Sequence, residues 1–145
     1  MVITEGSRIK NPHYAKQLID FQGLGLDGGI YPTDIDALIE YHDTEYILVE
    51  LKYKNTRVPY SQKVAIQRMV DDFTKVGKQA IAIVAEHHAS NPSKPVIAAN
   101  CRVREIYYGE ECEWRPPTHQ LTVRQAVDHF HGRKEKVSIE DTKPV

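Results

Sequence analysis

The sequence has only two cysteines, Cys101 and Cys112, among its 145 residues. Two cysteines cannot build the disulfide framework of a small secreted protein, and these two match no zinc-binding spacing such as C-x-x-C. We therefore expect reduced thiols and a cytoplasmic protein. The first ten residues also lack the apolar stretch of a signal peptide, which agrees with that expectation.

Long hydrophobic runs and an excess of charge of one sign are also absent. No apolar run approaches the ~18 residues of a membrane-spanning helix, so the sequence predicts no membrane partner. The formal net charge of −1 excludes a uniformly basic nucleic-acid coat but leaves room for a local basic patch. With 41% hydrophobic residues, the length predicts one domain over residues 1–133 and a charged tail over residues 134–145.

The order of the hydrophobic patterns predicts an α/β fold. Two strands, near residues 34–41 and 46–53, are expected to form a hairpin. A helix should follow, capped by Ser61 and stopped by Gly77, and then an apolar run at residues 79–87, typical of a strand buried on both faces. We therefore expect a mixed central sheet, with an antiparallel hairpin plus a parallel crossover strand, flanked by helices.

Helices are also predicted near both ends of the chain. Asn11, followed by a proline, is a good start for a helix that ends at Gly23. Thr122 with Gln125 three residues later forms a capping box, which predicts the start of the last helix. Between the third strand and this helix we expect one or two further strands around Gly109.

The predicted hairpin carries charged residues on one face. Because side chains alternate between the faces of a strand, Asp36 on one strand can share a face with Glu50 and Lys52 on the other. A three-residue connection, 42–44, would place Asp36 directly opposite Glu50, with Cβ atoms ~5 Å apart, whereas four residues would set it opposite Leu51. Two close carboxylates suit magnesium, which keeps several of its waters. A lysine beside them can orient or deprotonate an attacking water.

These residues resemble the PD-(D/E)xK nuclease superfamily. The acidic strand is PTDIDALIEY, the E-x-K element ELK follows its aspartate after thirteen residues, and the next helix carries Gln62. The resemblance implies a restriction-endonuclease-like fold and an enzyme that hydrolyses DNA phosphodiester bonds with Mg²⁺, or with Mn²⁺ in its place, as an endonuclease. It also implies that Asp36, Glu50 and the Leu51 carbonyl bind the metal and that Lys52 is the catalytic lysine.

The sequence departs from the family pattern at the proline. In the family, proline usually precedes the aspartate directly, whereas Pro32 lies two residues before Asp34 and four before Asp36. We prefer Asp36 as the main ligand because it lies across the hairpin from the E-x-K glutamate. Asp34 is then either a second ligand or a partner of Lys52.

Further positions are candidates for supporting roles. Many family members carry an acidic residue in or before the first helix, which Glu5 or Asp20 would supply. Gln62 falls on the helix stripe that faces the sheet, where a polar group needs a partner, and it would orient DNA or water unless it only caps the helix. His87 ends the third strand and is a candidate for a phosphate or outer metal contact. Three basic residues are candidates for DNA contact: Lys54, Arg57 and Lys63.

Other interpretations of the same sequence stay open. A nuclease-like fold used only to bind DNA or a protein is one alternative. A structure-specific resolvase of the Holliday-junction type, working as a homodimer, is another. The plainest is a solvated sheet face with ordinary ion pairs, but such pairs contribute only ~0–1 kcal/mol each, so stability alone would not require them.

Overall fold

The structure, a computed structural model, describes the backbone of residues 20–142, with side chains for all of these except Gln22 and residues 133–142. The chain divides into two units, residues 1–32 and 33–145. In the first unit the described part contains a short 3₁₀ helix, Gln22–Leu24. The predicted helix starting at Asn11, and Glu5, lie outside the described residues.

The second unit is built around a five-stranded sheet with strand order β1-β2-β3-β4-β5. Strands β2 and β3 are parallel and the other neighbours are antiparallel. The predicted α/β class with a mixed sheet and flanking helices is therefore confirmed. The elements in chain order are β1 (Ala37–Tyr41), β2 (Glu45–Tyr53), α1 (Tyr60–Lys75), β3 (Gln79–His87), a 3₁₀ turn (Ala98–Asn100), β4 (Arg102–Tyr108), β5 (Glu113–Arg115) and α2 (Val123–Thr142).

One helix packs on each face of the sheet. The face of β2 that carries Ile47 and Val49 belongs to the core that α2 covers. The opposite face, which carries Leu48, packs against Ile66 and Val70 of α1. We call this second surface the site face, because Glu50 and Lys52 alternate onto the same side of β2 as Leu48. No helix in the described part of the chain is long and apolar enough to cross a membrane.

The predicted start of β1 was wrong. The strand begins at Ala37 rather than near residue 34, because the backbone bends at Asp36. The bend interrupts the alternation of side chains, so Ile35 packs against the cluster beneath α1 rather than sharing a face with Ala37 and Ile39.

The predicted start of α2 is confirmed, whereas its end and the predicted cap of α1 are not. The capping box is present, because the Thr122 amide donates to Gln125 Oε1 at 3.0 Å and the Gln125 amide donates to Thr122 Oγ1 at 3.2 Å. Helix α2 continues to Thr142, into residues that were expected to form a tail. Ser61 does not cap α1. The capping position is Pro59, which makes no side-chain cap.

Gly109 follows β4 at a point where the chain lies close to α1. A Cβ atom there would lie 1.9 Å from Thr74 Oγ1 and 3.2 Å from Val70 Cγ1. The Thr74 hydroxyl donates to the Val70 carbonyl, so it cannot move without losing that hydrogen bond. We expect Gly109→Ala to lower the free energy of unfolding by about 1–3 kcal/mol.

Urea unfolding measures this effect, with Gly132→Ala as the control. A Cβ at Gly132 meets nothing within 4 Å, and its position inside α2 should make alanine neutral or stabilising by up to about 1 kcal/mol. Equal stabilities of the Gly109 variant and the wild type would contradict the close packing.

Candidate active site

The hairpin brings Asp36, which immediately precedes β1, to the E-x-K element of β2. Residues 42–44 form a three-residue turn, and Ala37 lies opposite Val49. The ladder begins at this pair, and Asp36 lies at the bend immediately before it. This three-residue connection and the register of the paired residues are those that the sequence predicts, and the direct pairing of Asp36 with Glu50 stays a prediction.

Asp36 is held against β2 by the main chain. Its Oδ2 atom accepts a hydrogen bond of 2.7 Å from the Leu51 amide. The Leu51 side chain points the other way and packs against the core beneath α2. The bend at Asp36 thus turns the carboxylate onto the middle residue of the E-x-K element. The metal-binding role of the Leu51 carbonyl stays a prediction.

Glu50 is a buried carboxylate with one satisfied oxygen. Its side chain is 3% exposed, and Lys52 Nζ lies 3.2 Å from its Oε1 atom. Its Oε2 atom is buried and has no well-aligned hydrogen-bond partner among the described residues. Burial raises the pKa of Glu50, and the charge of Asp36 adds to this, while Lys52 and Gln62 oppose it. Burial therefore disfavours the charged form of this carboxyl group.

Gln62 connects α1 to the segment before β1. It is buried in the first turn of the helix, on the stripe that continues through Ile66 and Val70, as predicted. Its Nε2 atom donates to the Asp34 carbonyl at 3.0 Å. Gln62 is therefore not a helix cap, which was the alternative interpretation.

The two candidate aspartates lie in different surroundings. Asp34 contributes its backbone carbonyl to the contact with Gln62, and its side chain is exposed. Asp36 interacts electrostatically with Glu50. Asp36 is thus the aspartate whose charge raises the pKa of Glu50, and its role as the main metal ligand stays a prediction.

Sequence reasoning missed Glu86 on β3. This residue pairs with Lys52 in the parallel register of β2 and β3, so the two side chains share the site face. Glu86 is only 9% exposed. Its carboxylate lies 3.8 Å from the guanidinium of Arg104 and 3.6 Å from the ring of His88. The sequence did contain one signal for this residue, because Glu86 is an acidic residue inside the apolar run of residues 79–87. Its position beside Lys52, however, depends on the path of the crossover through α1, which the sequence pattern does not specify.

His87 lies away from the carboxylate pair. Because it follows Glu86 on a regular strand, its side chain projects from the opposite face of the sheet. Its ring contacts Tyr53 with the ring centres 5.6 Å apart. Its phosphate or metal role stays a prediction that this position does not favour.

The three predicted DNA-contact residues have different environments. Lys54 and Arg57 are exposed in the segment after β2, and Lys54 Nζ lies 5.1 Å from the centre of the Tyr53 ring. Lys63 instead pairs with Glu105 at 2.7 Å and lies over the Trp114 ring. The side chain of Lys63 is therefore engaged within the protein.

The site offers a pair of carboxylates to a cation. Within residues 20–142, and where side chains are described, no group of three or more His, Cys, Asp or Glu residues is arranged to hold a metal ion. Magnesium commonly binds through only one or two carboxylates and fills its other positions with water. Metal binding by Asp36 and Glu50 therefore stays a prediction. The Glu50 Oε2 atom, which lacks a well-aligned hydrogen bond, is the atom that such an ion would contact.

Comparisons of the chain with protein-family models, with curated proteins and with solved structures found no match. The assignment of a function therefore depends on the residues of this site and on their geometry.

Proposed function

We propose that the protein is a metal-dependent DNA nuclease of the PD-(D/E)xK type, with Asp36, Glu50 and Lys52 as its active-site residues. One observation carries the proposal. A buried glutamate has one oxygen on a lysine ammonium and the other without a well-aligned hydrogen bond, beside a second carboxylate. Burying such a group costs stability, and a buried ion pair rarely offsets that cost. Groups held at such a cost cluster at functional sites.

The fold is consistent with the proposal. The hairpin β1–β2, the crossover helix α1 and the parallel strand β3 follow the order expected for a restriction-endonuclease-like sheet. The E-x-K element lies in β2, and Gln62 lies at the start of α1, near the same edge of the sheet. The basic side chains of Lys54 and Arg57 follow β2 at this edge, where a phosphate backbone would pass.

The donor set fits a hard divalent cation. Asp36 and Glu50 would hold Mg²⁺ or Mn²⁺, with the Leu51 carbonyl as the predicted third protein oxygen. Such an ion supplies Lewis acidity toward a phosphoryl oxygen and lowers the pKa of water.

The protein's own groups would position the reactants. Lys52, with a side chain that is 19% exposed, would orient the attacking water and place a positive charge beside the phosphate as negative charge builds up. The water oxygen forms a bond to phosphorus, and the bond from phosphorus to one sugar oxygen breaks. The products are a phosphomonoester and a sugar hydroxyl, and the water supplies the hydroxyl proton. Asp36 is kept in place throughout by the Leu51 amide.

A plasmid-cleavage assay tests the proposal. Purified protein should cut DNA in Mg²⁺ or Mn²⁺ and lose this activity in a chelator. Asp36→Ala should abolish cleavage, while Asp34→Ala, whose side chain lies outside the carboxylate pair, should retain most of it. Equal cleavage by the wild type and Asp36→Ala would indicate a contaminating nuclease and contradict the proposal.

Calorimetry separates the proposal from the binding-module alternative. A nuclease should bind Mg²⁺ or Mn²⁺ at millimolar concentrations or below. DNA binding without cleavage, together with no metal binding in that range, would favour a nuclease-like fold that only binds DNA.

A further inference from the structure

Lys52 has two carboxylates near it on the site face. Glu50 precedes it by two residues on β2, and Glu86 lies beside it in register on β3, where neighbouring strands are ~4.8 Å apart. Lys52 pairs with only one of them, because its Nζ lies 3.2 Å from Glu50 Oε1. The ion pairs of Glu86 go to Arg104 and His88 instead. The residues around Glu86 therefore determine which of the two carboxylates Lys52 pairs with.

Arg104 occupies an irregular position in β4. The register between β3 and β4 shifts, so that Arg104 is the extra residue between Val103 and Glu105. Such a bulge changes the direction of a side chain, and bulges are frequent beside active sites. The guanidinium of Arg104 reaches Glu86 Oε2, at 3.8 Å.

The guanidinium is held in this position by the turn after β2. It donates to the Thr56 carbonyl at 2.8 Å and to the Lys54 carbonyl at 2.5 Å. Lys54 has a left-handed backbone with φ of 46°, which is uncommon for a residue other than glycine. Its amide donates to the His87 carbonyl at 2.8 Å. A strained residue of this kind persists only where its surroundings fix it, and Arg104 is one of the groups that do so.

We infer that Arg104 is a positioning residue, which neutralises Glu86 and so leaves Lys52 paired with Glu50. The inference rests on the proposed function only in taking Lys52 beside Glu50 as the active arrangement. Without Arg104, Glu86 would be a largely buried carboxylate without its strongest cation. A buried charge that loses its partner is costly, so the adjacent Lys52 ammonium would turn toward Glu86 and away from Glu50.

Cleavage kinetics give the first test. Arg104→Met should lower kcat by about 10- to 100-fold and change the KM for DNA less, because the displaced lysine acts in the chemical step. Adding Glu86→Gln to Arg104→Met should restore most of kcat, because the competing charge is then gone. If Arg104 only supported the turn, the double variant would be as impaired as the single one, which would overturn the inference.

Two further variants complete this test. Arg124→Met removes an exposed arginine of α2 that pairs with Asp128, and it should leave kcat and KM unchanged. Arg104→Gln keeps a donor for the turn carbonyls but removes the charge, so it serves if Arg104→Met fails to fold, with the same expected loss and the same rescue.

Lysine side-chain NMR gives a readout that does not need activity. In the wild-type background the Lys52 resonance should shift more on Glu50→Gln than on Glu86→Gln. In the Arg104→Met background the Lys52 resonance should instead shift more on Glu86→Gln than on Glu50→Gln. A Lys52 resonance that still responds mainly to Glu50→Gln in that background would overturn the inference, whatever the cleavage assay gives. If the wild type does not cut DNA but the larger Lys52 shift changes from Glu50→Gln to Glu86→Gln when Arg104 is replaced, the proposed function fails and the role of Arg104 stands.

Discussion

Replacing Lys52 with methionine should reduce metal-dependent DNA cleavage by about 10²–10³-fold. Lys52 places an ammonium 3.2 Å from Glu50 Oε1, where it would orient water and stabilise charge on the phosphate. Methionine keeps an unbranched apolar stem but carries no charge, so the variant isolates the ammonium group. The measurement is single-turnover cleavage of an end-labelled duplex in Mg²⁺, with metal binding followed separately by calorimetry.

The control for this variant is Lys75→Met. Lys75 lies in the last turn of α1, exposed, and pairs weakly with Asp72 at 4.0 Å. Its removal changes the net charge equally but leaves the site untouched, so its cleavage rate should equal that of the wild type. Cleavage by Lys52→Met at the wild-type rate, with unchanged metal dependence, would contradict the assignment of Lys52.

Replacing Glu50 with glutamine should stabilise the metal-free protein at neutral pH while abolishing metal-dependent cleavage. Burial is the main reason that the pKa of Glu50 is raised above its ordinary value of 4.5. A carboxyl with a raised pKa in the folded state favours folding when protonated, and this contribution is lost as the pH rises through the folded-state pKa. Glutamine resembles the protonated form, so we expect the variant to be more stable than the wild type at neutral pH.

The pH dependence of unfolding checks the sign of this prediction. The stability difference between Glu50→Gln and the wild type should shrink as the pH falls toward 4.5, because the wild-type carboxyl is then protonated as well. Glu110→Gln, at an exposed glutamate, should change stability little at any pH. A Glu50 variant that is less stable than the wild type at neutral pH would contradict the burial argument.

Metal binding should offset the loss of folding stability that the buried charge of Glu50 causes. A ligand that binds only the folded state stabilises it, by about 2.7 kcal/mol at 100 times its Kd. Mg²⁺ or Mn²⁺ should therefore raise the unfolding temperature of the wild type but not that of Glu50→Gln. Binding should also weaken at acid pH, because the cation competes with a proton for Glu50. A thermal shift of equal size in both proteins would place the metal elsewhere.

The local elements of this protein could be predicted from the sequence because each has a short-range cause. The capping box at Thr122 satisfies amides within one helical turn. The apolar run at residues 79–87 identified a strand buried on both faces. The three-residue turn set the register of the hairpin, in which Ala37 lies opposite Val49.

Other features depend on long-range packing and could not be predicted in this way. The neighbour of Lys52 on β3 is Glu86 only because of the length and path of the crossover through α1. The bulge that directs Arg104 toward Glu86 belongs to the pairing of β3 with β4. The bend that shortens β1 depends on how Ile35 packs beneath α1.

The sequence by itself determined the register of the hairpin and the shared face of Glu50 and Lys52 on β2, because turn length and strand alternation are properties of adjacent residues. Only the tertiary structure decided that α1 covers the site face, that Glu50 is buried with one oxygen lacking a well-aligned hydrogen bond, and that a second carboxylate lies beside Lys52. Burial and pairing between distant strands depend on how the whole chain packs, and no local pattern encodes them.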